Sequence, residues 1–263
     1  NEKIILLKNI HSAEKKPTNG TIEYCYEYVR KGLDKSFPGR GQETSPIGLI
    51  DQAMAYGLIA WAASLAGKTD DAENSVNWLI ENSRTRRGTG WGLGFQWSPF
   101  SKSFKNDSET IYGITNAICI QGLLEFHKIS PNPSIYETII AALDYYSECR
   151  SILSDGESYF WYSDQVTDSK QVYNVSSMLA GTFARASVEL EIPGYAKIAH
   201  SAAQSIVDDV LLRENHIDWL YEKGGKRHND LVHASYIIKG LLDTKKSYRE
   251  IASQTGVSTT TIG

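Results

Sequence analysis

Cysteine is scarce in this sequence: three among 263 residues, Cys25, Cys119 and Cys149, with no CxxC pair. That excludes a disulfide-stapled scaffold. Each cysteine sits in an apolar helical stretch, where a thiol behaves as a small hydrophobe, and such usage fits a reducing compartment. Asn1–Ile10 lacks the long apolar stretch and small-residue cleavage site of a secretory leader. A cytoplasmic location is therefore expected, with earlier trimming of a leader left open. No apolar run approaches the roughly 20 residues of a membrane span, and no membrane partner is expected. Neither sign of charge dominates: 27 Lys and Arg against 31 Asp and Glu leave a net charge of −4. That is the wrong balance for a surface devoted to nucleic acid or anionic lipid. Also missing are a GxSxG nucleophile elbow, a glycine-rich phosphate loop ending in Lys-Ser or Lys-Thr, and an HExxH zinc helix. No cofactor and no metal is expected.

What is abundant is aromatic residues with a polar handle. The chain carries 15 Tyr and 6 Trp against 7 Phe, a balance suited to half-wet surfaces rather than a dry core. The length favours one large domain with short appendages. Apolar residues recur at three- and four-residue spacing through 22–33, 47–65, 72–80, 111–126, 135–146, 172–190, 196–212 and 231–242, with Pro and Gly in the gaps. Strand-like alternation is confined to Ser158–Tyr162 and Ile217–Tyr221. The fold class expected is all-α.

Within this pattern lies a repeat. Asp51–Trp61 can be laid over Asn116–Phe126, Val175–Arg185 and Ala234–Asp243, which places Gly57, Gly122, Gly181 and Gly240 in register at a period of about 60 residues. Each unit offers an apolar, small-residue helix, then a more charged helix, then a loop rich in Trp and Tyr: Gly90–Trp97, Tyr159–Tyr162 and Asp218–Tyr221. A helix without a polar face is covered on both sides, and its charged partner covers it from outside. Repeating such hairpins gives a solenoid or a closed toroid. The tryptophan in each loop favours the toroid, where every unit puts its loop and the start of its next inner helix on one rim.

An aromatic loop followed by an inner helix, in several copies, resembles the α/α-toroid carbohydrate proteins, the six-hairpin glycosidase and polysaccharide-lyase-like group. In particular Val172–Arg185, then Trp219–Tyr221, then His228–His233, is similar to uncharacterised proteins of bacterial exopolysaccharide and capsule gene clusters. The resemblance covers Pro38 to Leu242. It implies repeated helical hairpins forming an incomplete (α/α) toroid, since about four hairpins fit where six complete a ring of this class. It also implies an oligo- or polysaccharide partner. Residues 1–20 would be an N-terminal extension, 21–243 the toroid, and 244–263 a helical tail. Ser247–Ile262 resembles a helix-turn-helix of the Trp-repressor-like kind, with Ile251 and Ala252 inward, a Gly256 turn and Ser258 as cap. It stops one turn into the second helix with no basic residue after Arg249, too little to fill a groove or neutralise many phosphates; nucleic acid is not an expected partner.

On a toroid rim the chemistry belongs to the loops and to the inner-helix N-termini. Trp91, Trp97, Trp161, Trp219 and Tyr221 offer flat rings for the C–H face of a pyranose, with Glu109, Tyr112 and Asn116 beside them as further binding residues. Trp61 and Trp78 lie mid-helix and read as core. The densest polar stretch is Arg227–Tyr236. There His228 and Asp230 stand at a helix start, where Asp is a natural cap, and His233 and Tyr236 follow near one stripe. A His and a Tyr flanking one sugar can serve as general base and general acid, and Asn174 one unit earlier can hold a carboxylate. That is the logic of a uronate lyase or epimerase. The plainer alternative makes Asp230 a cap and His233 a buried structural histidine. Hydrolysis needs two opposed carboxylates, for which Asp51, Glu109, Asp164 and Asp230 are candidates, Asp51 and Asp230 coming from different sides of the ring. A non-catalytic glycan-binding or assembly factor, and a sugar-sensing DNA-binding regulator, remain open from the sequence. Asp70-Asp71 lacks the longer acidic cluster of terpene cyclases, and the Cys/His zinc site of lanthionine-cyclase-like toroids is not visible.

Overall fold

The computed structural model describes residues 19–43, 48–101, 104–212 and 217–255. The helices are α1 (Asn19–Arg30), α2 (Ala53–Leu65), α3 (Thr69–Glu81), α4 (Gly113–Ile129), α5 (Pro133–Ser147), α6 (Tyr173–Glu189), α7 (Gly194–Asp208) and α8 (Leu231–Thr255). They sort into two kinds, as their sequences require. In α4 and α6 almost every residue is buried, because neither has a polar face to offer water. In α3, α5 and α7 the buried residues recur every three or four positions: Ala72, Val76 and Leu79; Ile135, Ile139, Ala142 and Tyr146; Tyr195, Ala199, Ala202 and Ile206. The first kind forms the inner layer with α2 and α8, and the second covers it.

Glycine sets the spacing between inner helices. A Cβ on Gly122 would lie 2.5 Å from the Gly57 carbonyl oxygen, and one on Gly181 would lie 2.8 Å from the Gly240 Cα. The four glycines in register along the sequence are thus two close contacts in space, α2 on α4 and α6 on α8.

The chain is helix-rich but not strictly all-α. Among the described residues three antiparallel two-stranded ribbons decorate it: β1 (Arg40–Glu43) with β2 (Gly48–Asp51), β3 (Arg150–Ile152) with β4 (Ser158–Phe160), and β5 (Leu211–Leu212) with β6 (Ile217–Asp218). β4 and β6 fall where the sequence alternates. β1 and β2 had no such signal, because Arg-Gly-Gln-Glu carries no apolar face.

At the far ends of the inner helices from these ribbons, charged side chains meet on the axis. Arg185 of α6 donates to Glu125 at 3.0 Å, to Glu189 at 2.9 Å and to Gln121. Lys239 of α8 pairs with Asp243 and lies 4.8 Å from the centre of the Trp61 ring. These groups line a cavity of about 360 Å³. Burial opposes the Arg185 charge, and the Glu189 and Glu125 carboxylates more than restore it.

α8 runs unbroken through residue 244, where the tail was expected to begin. The Gly256 turn and Ser258 cap of the helix-turn-helix resemblance lie outside the described residues. Cys119 and Cys149 are buried thiols as expected, whereas Cys25 is exposed on α1. No helix among the described residues is long and apolar enough to cross a membrane.

Candidate functional site

The rim is built by the way the inner helices begin. α4 and α6 start without a side-chain cap, each after a residue in extended conformation. Their first N–H groups are used instead by the loop of the next unit. Gly113 donates to the Tyr162 carbonyl at 3.0 Å, and Tyr173 donates to the Tyr221 carbonyl at 3.3 Å. Short bridges, Tyr112 with Ser163 and Val172 with Glu222, extend each junction. Orphan helix-end donors are thereby satisfied, and Tyr162 and Tyr221 reach equivalent places in successive units.

A continuous aromatic line results. The Trp97 indole and the Tyr221 hydroxyl both lie beside the Tyr162 hydroxyl and interact with it. Tyr162 meets Phe100 and Tyr112 edge-on, with ring centres 5.0 and 5.7 Å apart. Tyr221 meets the His233 ring at 5.1 Å, nearly perpendicular, and the Arg227 guanidinium lies 4.8 Å over the Tyr221 ring. Phe100 is held at φ 58, a left-handed conformation that a bulky side chain adopts only where its surroundings enforce it. Trp97 is 46% exposed. Three loops therefore contribute to one surface with apolar faces and polar edges.

Beside it sit two histidine–carboxylate pairs. His233 Nδ1 is 2.7 Å from Asp230 Oδ1, and the same oxygen accepts the His233 backbone N–H at 2.9 Å. Asp230 therefore caps α8 and orients the imidazole at once. The His233 backbone amide, then its side chain, hold the Asp230 carboxyl below its usual range. His228 Nδ1 is 2.7 Å from Asp218 Oδ2, and Arg227 lies 3.8 Å from Asp230.

Several expected site residues are placed otherwise. Trp91 and Trp219 are 1% and 5% exposed. Their indole N–H groups donate to the carbonyls of Leu79 and Ile206, near the ends of α3 and α7, at 2.9 and 3.0 Å. They plug the space between layers and present no face to a ligand; Phe160 is buried two residues before Tyr162 as Trp219 is before Tyr221. Trp161 is half-buried, its N–H on Ser151 Oγ at 2.9 Å. Tyr112 is buried under Tyr162, and Asn116 is buried beneath the Gly90 loop, its side chain without a hydrogen-bond partner. Asn174 is 4% exposed with its Oδ1 unpartnered, which removes it as a surface carboxylate clamp. Tyr236 packs half-buried against the core.

The carboxylate candidates are committed as well. Asp51 accepts two bonds from Arg40 and one from Tyr56; burial opposes its charge and these partners outweigh it, leaving its pKa lowered. Glu109 is bound by Arg86 at 2.6 Å. The Asp164 side chain is fully buried, taking the Tyr145 hydroxyl at 3.0 Å, and burial pushes its pKa up. Sequence reasoning missed Tyr162, Phe100 and Arg227 as rim residues. For Tyr162 a signal existed: it stands at the same offset from its unit's buried aromatic as Tyr221.

Comparison with known proteins agrees with this geometry at the level of fold. No protein-family model and no curated protein matches the chain by sequence. Among solved structures it is similar to an unsaturated glucuronyl hydrolase specific for heparin, with TM-score 0.62 and 12% identity over 88% of this chain and 68% of that one. The chain has the α/α-toroid fold. It is also similar to the unsaturated glucuronyl hydrolase of Bacillus sp. GL1, with TM-score 0.59 and 14% identity over 84% of this chain and 66% of that one. An endo-β-1,4-glucanase from Acetobacter xylinum gives 0.56 and 11% over 73% and 59%. The chain thus spans about two-thirds or less of the length of most of these structures, in keeping with four inner helices among the described residues.

Proposed function

We propose that this protein engages an oligo- or polysaccharide along the Trp97–Tyr162–Tyr221 line and acts on a uronate residue of it by proton transfer through His233, as a lyase or epimerase. The observation that carries the reading is the His233–Asp230 pair standing against the ring of Tyr221. With Nδ1 turned to Asp230, the other ring nitrogen is the one available as base, and an oriented base beside a substrate face is what proton abstraction next to a carboxylate requires. Arg227, rather than Asn174, supplies the positive charge that lowers the barrier to forming a carbanion there. The Tyr221 hydroxyl keeps its proton, since burial raises its pKa, and it is suited to protonate a departing oxygen. In elimination the base takes the C5 proton, the C4 oxygen leaves with a proton, and a C4–C5 double bond remains. In epimerisation C5 is reprotonated on its other face. The glycan would belong to exopolysaccharide or capsule metabolism, on the likeness of 172–233 to proteins of such clusters.

Hydrolysis is the second reading, favoured by the glycosidase names of the similar structures. The test is incubation with uronate-containing polysaccharides, following ultraviolet absorbance of the unsaturated product and reducing ends in parallel. Elimination raises both. Reducing ends without absorbance replace the lyase reading with hydrolysis; with neither signal, solvent deuterium taken up at C5 marks an epimerase, and binding without that exchange replaces the reading with a glycan-binding factor. His233→Ala is expected to lower turnover about 100- to 10,000-fold with Tm unchanged; a lower Tm with proportionate loss of activity would make His233 structural.

A further inference from the structure

A second polar hollow adjoins the aromatic line. Lys170 Nζ lies 4.6 Å over the Phe100 ring on one side and 3.3 Å from Glu222 Oε2 on the other. Beyond it Tyr159, Gln171, Glu222, Lys223 and the Gly224-Gly225 turn line a cavity of about 350 Å³. One buried oxygen there lacks a donor. Gln171 is 3% exposed and gives its amide N–H to Ser205 at 3.2 Å, while its Oε1 accepts nothing; Glu222 Oε2 has only the Lys170 ammonium as partner. A buried acceptor left empty is costly in a folded chain, and a ligand hydroxyl is the group that would fill it. Gly224 stands at φ 73 with open space where a side chain would project, and a Cβ on Gly225 would fall 2.7 Å from the Glu222 side chain. The turn keeps backbone at the lip and leaves room above it. Charge does not define this hollow, because Lys170 and Lys223 are each matched, by Glu222 and by Asp209 at 2.8 Å.

We infer that this hollow is an accessory subsite for a hydroxyl-bearing sugar unit of the same glycan, reached by chains long enough to pass over Phe100 and Lys170. Its ligand class is a hexose unit recognised through hydroxyl donors and the ring face of Tyr159, without need of a carboxylate. The inference rests on the glycan reading above, and the experiment separates the two. Disaccharides and hexasaccharides of the cellulose and chondroitin series are titrated into labelled protein while the Trp97 indole and the Gly224 and Gly225 amides are followed by NMR. Disaccharides should shift Trp97 alone; hexasaccharides should shift all three. Tyr159→Ala and Glu222→Gln should weaken hexasaccharide binding about tenfold, the scale of a lost contact to a charged group, and leave disaccharide binding unchanged. The ratio of the two affinities should hold from low to high salt. Hexasaccharides that move Trp97 but not the two glycines overturn the subsite while sparing the glycan reading, and so do variants equally weak for both lengths. If no sugar moves Trp97, both fall.

Discussion

Trp91 and Trp97 stand six positions apart in one loop and have opposite roles. Trp91 is flanked by Gly90 and Gly92 and Trp97 by Gln96 and Ser98, a difference that does not by itself say which is core; burial does, and burial depends on where α3 ends. Trp91 gives its N–H to the Leu79 carbonyl in the core, whereas Trp97 lies beside Tyr162 at the surface, nearly half exposed. Trp91→Ala should therefore cost about 3–5 kcal/mol, a fall in Tm of roughly 6 °C or more for a chain of this size. Trp97→Ala should leave Tm within a degree or two and weaken oligosaccharide binding; calorimetry and a binding isotherm on both variants check the pair, and a stable, non-binding Trp91 variant would reverse the assignment. Glu157 offers a pH signature at the same scale. Burial, then its hydrogen bond to Asp208 and the nearby Asp155, push its pKa up to about 7, with Lys223 pulling the other way. The folded state thus prefers the protonated form. Its stabilising contribution is complete below the unfolded value near 4.5 and is lost as pH rises through about 7. Glu157→Gln should raise Tm more at pH 8 than at pH 5, and an equal change at both pH values would sink the assignment.

At the scale of elements, the helices were legible because burial on two sides and burial on one side leave different patterns in sequence. α4 and α6 read as apolar throughout, α3, α5 and α7 as stripes, and the glycine register survived into space as two close contacts. What was not legible depended on distant partners. The β1–β2 ribbon has no alternation to betray it, and its Arg40 to Asp51 pairing withdrew one expected carboxylate from the site. Asn116 and Asn174 occupy the first turns of inner helices, where sequence suggested contact with a ligand, but the loops close over them. Of the candidate site, the His233–Asp230 stretch could be read because cap and base lie three residues apart on one helix; Tyr162 could not, without knowing which aromatic of its loop was the plug. The glycine contacts give the element-scale test. Gly122→Ala and Gly181→Ala insert a methyl where no space exists, against backbone rather than a movable side chain, and should destabilise by about 1–3 kcal/mol. Gly194→Ala, at the start of α7 with open space around it, should be neutral or stabilising by up to about 1 kcal/mol. Urea titration of the three variants decides it; equal effects at all three positions would mean the glycines are kept for something other than close approach.

At the scale of the molecule, the two glycine contacts join the inner helices only as pairs, α2 with α4 and α6 with α8. Between the pairs, α4 packs on α6 where Gly113 meets Val175 and Leu179, and the charge cluster crosses there as well. Arg185 of α6 reaches Gln121 and Glu125 of α4, Gln121 reaches Thr182 of α6 and Asp243 of α8, and Lys239 of α8 lies over Trp61 of α2. Replacing Arg185 with Met keeps much of the volume but leaves Glu125 and Glu189 with Lys128 alone, at 3.6 and 3.1 Å, and losing the charged hydrogen bonds of Arg185 costs about 1–3 kcal/mol. The loss should fall on the seam between pairs, so Arg185→Met should also broaden the unfolding transition or split it in two, where the parent unfolds in one step. Glu125→Gln added to Arg185→Met should recover part of the loss, because it removes one of the two carboxylates then sharing Lys128. Scanning calorimetry of parent, single and double variants reads all three effects. A single variant within about 0.5 kcal/mol of the parent, the range of an ordinary surface substitution, would mean that water already screens the cluster and that apolar contacts alone hold the two pairs together.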